Sequence, residues 1–160
     1  MPGAGSFPTL QMPIQPGEAA PEFELPDQNG ALVSLSRFRG RSAVVLFFYP
    51  KDDTTGCTAE ACEFRDRAAS FDTVGATLLG ISSDSTESHS RFASKYGLPM
   101  TLLSDKGGRV RKLYGVKSTF GIIPGRATFV IDRNGIVRHH FSSQSEPLRH
   151  VSEALAALSR

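Results

Sequence analysis

Ala43-Val-Val-Leu-Phe-Phe-Tyr49 is apolar throughout and rich in β-prone residues, the pattern of a strand covered on both faces, and Pro50 ends it. Ala76-Thr-Leu-Leu-Gly-Ile81 repeats the pattern, and Met100–Leu103 is a shorter extended piece. Between the first two strands, Cys57 to about Phe71 contains neither glycine nor proline, and Phe64, Ala68 and Phe71 recur at helical spacing. Thr54 or Thr55 is expected to cap that helix. Asp84-Ser-Thr-Glu87 resembles a capping box opening a helix with His89, Phe92 and Tyr96, which Gly97 closes. Lys106-Gly-Gly-Arg109 reads as the turn that starts a short helix over Arg109–Tyr114. Two hairpins are expected. One joins Phe23–Leu25 to Ala31–Leu35 through Asn29-Gly30, the other joins Ala127–Asp132 to Ile136–Phe141 through Asn134-Gly135. A last helix opens at Ser145-Glu-Pro147 with Leu148, Val151, Leu155 and Leu158 on one face. The order is an N-terminal β-hairpin, then β-α-β-α-β(-α)-β-β-α: an α/β chain whose central mixed sheet has helices on both faces.

Composition narrows the class. The 160 residues fit one domain, and Lys+Arg 18 against Asp+Glu 16 excludes both an acidic tail and a strongly basic nucleic-acid binder. Residues 1–15 read as an extended or disordered leader and 16–160 as a single domain, because the first stretch is proline- and glycine-rich without a charged side chain. It lacks the early basic residues and apolar run of a secretory signal. The seven-residue run at Ala43–Tyr49 is far too short to span a membrane. Two cysteines supply neither a disulfide scaffold nor a four-thiolate zinc site.

Those two cysteines carry the candidate chemistry. Cys57 follows a strand and a polar loop and falls in the first turn of a helix, where free N–H groups and the helix dipole stabilise a thiolate. Gly56 lets another group come close to the sulfur, and the Thr54 hydroxyl can turn toward the same pocket. The plain alternative, two small core residues on an amphipathic helix, is disfavoured by the strand-to-helix junction. Cys62 lies five residues on, so an intact helix separates the Cα atoms by roughly 8–9 Å, beyond the ~7 Å reach of a disulfide. A Cys57–Cys62 bond therefore requires local unwinding, which suits a catalytic bond and not a structural one.

The segment resembles the peroxiredoxins, thiol peroxidases of thioredoxin fold, through Pro50-x-x-x-Thr54-x-x-Cys57. It is most similar to the branch of peroxiredoxin Q and the bacterioferritin comigratory proteins, with a second cysteine at Cys62. The likeness runs from about Pro16 to the C-terminus and includes Phe-Tyr-Pro-Lys-Asp-Asp, Leu102-Leu-Ser-Asp105 and Pro124-Gly-Arg126-x-Thr-Phe-Val-Ile-Asp. Thr55 departs from it, standing where the branch usually has proline. The resemblance implies a thioredoxin-like fold and a thioredoxin-dependent peroxidase acting on hydrogen peroxide and organic hydroperoxides in antioxidant defence and redox homeostasis. Cys57 would be peroxidatic and Cys62 resolving, the two forming a redox-active disulfide. Thr54 would align the peroxide, Arg126 stabilise thiolate and peroxide, and Pro50 shield the sulfenic acid. Glu60 would support the loop or the helix start without a chemical step.

No cofactor, metal, nucleic acid or membrane span is expected. The implied partners are a hydroperoxide and thioredoxin or a similar dithiol. The chain is expected to be a monomer in a bacterial cytoplasm, or in a plastid of a photosynthetic eukaryote. A general disulfide oxidoreductase would want Cys-x-x-Cys, and a copper or zinc binder would want closer cysteines with a matched histidine. A redox sensor shares the chemistry and differs in purpose. His89, His139, His140 and His150 read as surface or satisfied core residues, Arg37-Phe-Arg39-Gly-Arg41 as a solvated turn, and Phe120–Ile123 as an apolar loop for core, substrate or partner.

Overall fold

The computed structural model describes residues 12–118 and 124–159. Two short strands, β1 (Glu24–Pro26) and β2 (Leu32–Ser34), form the expected antiparallel pair. The main sheet contains β3 (Ala43–Phe48), β4 (Ala76–Ser82), β5 (Thr101–Ser104), β6 (Ala127–Ile131) and β7 (Val137–Ser142). Its order is β5-β4-β3-β6-β7, the first three parallel and the last two antiparallel to their neighbours. The described residues also form five α-helices: α1 (Thr55–Asp66), α2 (Ala68–Thr73), α3 (Thr86–Tyr96), α4 (Arg109–Leu113) and α5 (Pro147–Leu158).

Strand alternation divides the core in two. Val44, Leu46 and Phe48 face a cluster with Tyr114, Phe129, Phe23 and Ile14. Val45, Phe47 and Tyr49 face the other way, toward Cys57, Ala61 and Phe64 of α1, Phe92 of α3 and Val151 of α5. The Phe47 and Phe64 rings stack at 4.3 Å, which fixes α1 against the central strand. Ile14 is buried and its N–H donates to the Tyr114 carbonyl, so packing begins before Pro16; residues 1–11 of the expected leader lie outside the described residues.

Four expectations are corrected. The helix from Cys57 does not run on to Phe71: it breaks at Arg67 (φ −102°, ψ 7°). On one straight helix Phe64 and Phe71 would sit ~10 Å apart along the axis, whereas the break brings their rings to 5.7 Å. Thr54 occupies the cap position of α1 without a capping bond. The cap of α3 is Ser85, accepting from the Ser88 N–H, so Asp84 is free for another task. On α5, His150, Val151 and Ala154 are buried, and Leu148 falls outside that stripe at 52% exposure.

Candidate active site

β3 delivers the chain to a loop, and the loop delivers Cys57 to the first turn of α1. The thiol is 2% exposed, at the inner wall of an open cavity of about 580 Å³. Pro50, Thr54 and Arg126 line the same cavity, as do Lys51, Ser83, Asp84, Pro124 and Gln144. The structure thus gathers Pro50, Thr54, Cys57 and Arg126 around one space. Cys62 lies outside that lining, on the same helix, and both cysteines are free thiols.

Arg126 enters from the first residue before β6. Its Nη1 donates to Cys57 Sγ at 3.6 Å and to Glu60 Oε1 at 2.6 Å, while Nε donates to the Gln144 carbonyl at 3.3 Å. Gly56 makes this approach possible: a Cβ there would stand 2.9 Å from Arg126 Nη2. No side chain caps the first turn of α1, and the Thr54 hydroxyl instead donates to the Lys51 carbonyl at 2.8 Å. The hydroxyl proton is thereby committed, and its lone pairs remain available as acceptors.

Glu60 is what sequence reasoning underestimated. It is fully buried, ion-paired with Arg126, and its Oε2 has no hydrogen-bond partner. Its place three residues after Cys57, on the same side of the helix, was the available signal. Burial pushes its pKa up to about 7 against the pull of Arg126. Burial opposes charge on Arg126 too, yet Glu60 and Cys57 outweigh it and hold that pKa above the usual value. His150, with Nδ1 3.9 Å from Glu60 Oε2, bonds Thr128 Oγ1 and the Ser143 carbonyl; burial holds its pKa down to about 4, so it is neutral.

The raised Glu60 pKa has a measurable sign. The folded chain holds this proton more tightly than the unfolded chain, so the Glu60 contribution to stability falls as pH rises from about 4.5 to about 7. Glu60→Gln lacks that term. Its stability relative to wild type should therefore rise by roughly 3 kcal/mol across the window, read from denaturant unfolding at several pH values. A pH-independent difference would show that Glu60 is ionised throughout.

Metal ligation is poorly served. Asp52, Asp84 and His89 place ligand atoms within 4.8 Å of one another, but both nitrogens of His89 are engaged, with Asp52 and with the Leu103 carbonyl. The apolar loop at Phe120–Ile123 lies outside the described residues. Among those residues, no helix is long and apolar enough to cross a membrane.

A buried thiol at a helix N-terminus, facing a guanidinium beside a mixed sheet, defines a cysteine-based oxidoreductase of thioredoxin-like fold. Residues 16–140 match the AhpC/TSA family. The chain is 51% identical over 146 residues to the chloroplastic peroxiredoxin Q of Sedum lineare, covering 91% of this chain and 78% of that one. The Arabidopsis thaliana chloroplastic peroxiredoxin Q is also 51% identical over 146 residues, covering 91% and 67%. Among solved structures, the peroxidoxin BcpB of Mycobacterium tuberculosis superposes with TM-score 0.85 at 40% identity, covering 91% of this chain and 97% of that one. The chain belongs to the AhpC/TSA family and is a peroxiredoxin, a thiol peroxidase.

Proposed function

We propose that Cys57 is the peroxidatic and Cys62 the resolving cysteine of a single-chain cycle. The observation that carries this is Cys57 Sγ at 3.6 Å from Arg126 Nη1 in an open cavity, with Cys62 on the same helix. The Cys57 thiolate attacks the terminal oxygen of a hydroperoxide. An S–O bond forms, the O–O bond breaks, and the departing alkoxide or hydroxide takes up a proton, leaving Cys57 as sulfenic acid. Arg126 offsets the negative charge that this transition state spreads over sulfur and leaving oxygen. Thr54 accepts the O–H of the peroxide through the lone pairs its bond to Lys51 leaves open, and Pro50 keeps water off the product.

After α1 unwinds, the Cys62 thiol displaces water from the sulfenic acid and forms the Cys57–Cys62 disulfide. A thioredoxin-type dithiol then reduces it by exchange. Hydrogen peroxide and organic hydroperoxides are the substrates; the bacterioferritin comigratory protein of Xanthomonas campestris, a solved relative, has alkyl peroxide reduction activity. Because both thiols belong to one helix, no second copy is needed for the cycle, and we assign a monomer whose catalytic domain is 16–160. The plant relatives are chloroplastic, which supports a plastid setting if the source is photosynthetic; for a bacterial source the proposed setting is the cytoplasm.

Mass spectrometry after one equivalent of hydrogen peroxide tests the cycle. Cys62→Ser should gain a single oxygen, trapped at Cys57 by a sulfenic-acid reagent, and should fail to turn over with thioredoxin. Wild type should instead lose two hydrogens and, on far-ultraviolet circular dichroism, part of the α1 signal. An oxidised wild type with undiminished helicity would refute the unwinding step.

A further inference from the structure

The loop carrying Pro50 and Thr54 is held from behind by charged residues that the reaction does not use. Asp52 is 7% exposed, and its carboxylate accepts from Tyr49 Oη at 2.6 Å and Ser88 Oγ at 2.8 Å, with His89 Nδ1 at 2.7 Å. His89 is fully buried, and its Nε2 donates to the Leu103 carbonyl at 3.0 Å. The backbone N–H of Asp52 donates to Asp84 Oδ2 at 2.8 Å, and Ser82 Oγ donates to that same oxygen at 2.6 Å. Next along the chain, Asp53 adopts a left-handed backbone (φ 57°), its carboxylate accepting from Lys95 Nζ and Tyr96 Oη. These anchors belong to Tyr49 just after β3, to α3, to β5, and to the end of β4 with the segment that follows it, none of which bears a reacting group.

One covalent fact links them to the chemistry. The Asp52 N–H and the Lys51 C=O belong to the same planar peptide unit. Asp84 holds that plane by its N–H; from the other edge, the carbonyl takes the Thr54 hydroxyl at 2.8 Å. Rotation of the plane would swing the carbonyl and turn the Thr54 oxygen away from the cavity that Asp84, Thr54 and Cys57 share.

We propose that Asp84 is a positioning residue for Thr54, acting through the Lys51–Asp52 peptide plane, with the buried Asp52–His89 pair fixing the same residue from its side chain. The proposal rests on the reading of Thr54 as acceptor for the peroxide O–H. Asp84 is an anchor because its acceptor geometry sets the plane, and a neutral acceptor of the same shape does the same.

The test is a double-mutant cycle on the second-order rate of the reduced protein with hydrogen peroxide, with intact folds checked by circular dichroism. Thr54→Val should slow the reaction about 10–100-fold, and Asp84→Ala about 10-fold, the scale of an ångström-sized misplacement. Asp84→Ala added to Thr54→Val should cost less than about twofold more, since its target is already gone. Asp84→Asn, which keeps an acceptor for the Asp52 N–H, should recover most of the rate. The sulfenic-acid-to-disulfide step should be unchanged in Asp84→Ala. An unchanged rate in Thr54→Val would remove Thr54 from the reaction and this proposal with it. A slow Thr54→Val beside an inert or fully additive Asp84→Ala, or an Asp84→Asn as slow as Asp84→Ala, would overturn the proposal while leaving Thr54 in its role.

Discussion

Replacement of Cys57 by serine is expected to abolish the reaction with hydroperoxide, a loss on the order of 10⁴-fold or more, the scale on which removing a nucleophile acts. Serine is close in size, and its hydroxyl would find the same helix N-terminus and the same guanidinium, so the fold and the Arg126–Glu60 pair should survive. A hydroxyl, however, does not ionise in that setting as a thiol does, and oxygen is the weaker nucleophile toward an O–O bond. Cys62 cannot substitute: it lies outside the cavity lining, on the far side of the turn that presents Cys57. Stopped-flow mixing of reduced Cys57→Ser with hydrogen peroxide should give no fast phase, while Cys62→Ser keeps a first step at the wild-type rate. Residual fast consumption in Cys57→Ser would move the nucleophile elsewhere and with it the whole assignment.

How far the sequence could be read depended on the range of the interaction. The strands at Ala43–Phe48 and Ala76–Ser82, the two hairpins and the Gly97 stop were legible because local pattern decides them. Gly97 adopts the left-handed conformation (φ 61°, ψ 45°) that a glycine cap provides. Pro50, Thr54, Cys57 and Arg126 were legible through a motif, and the structure places all four around one cavity. Contacts between distant segments were not legible. The break at Arg67 serves the packing of Phe64 against Phe71, and nothing local marks it. Asp84 looked like a helix cap because its type and spacing allow one, but the Asp52 N–H, 32 positions away, claims it. Glu60 read only as a support for the loop or the helix start, because its ion-pair partner Arg126 stands 66 positions on.

Arg126→Met should separate what the guanidinium does for the reaction from what it does for the fold. The reaction with hydrogen peroxide should slow about 10²–10³-fold, the cost of removing one donor aimed at developing charge. Stability should fall as well, by roughly 1–2 kcal/mol near pH 8, because without its cation the fully buried Glu60 must keep a proton that the wild-type residue releases above about 7. That second loss should shrink as pH falls through about 7, where Glu60 takes up a proton and no longer needs the partner. Adding Glu60→Gln to Arg126→Met should restore most of the stability at pH 8, since a neutral amide has no proton to keep. It should restore none of the rate, because the group facing the sulfur is still missing. Arg126→Lys should sit between the two: it keeps the charge, but one ammonium cannot reproduce the fork that bonds Glu60, Cys57 and the Gln144 carbonyl together. Recovery of the peroxide rate in the double variant would mean that Arg126 acts only by neutralising Glu60. The guanidinium would then be a structural counter-ion, and the charge stabilisation assigned to it would have to come from the helix N-terminus alone.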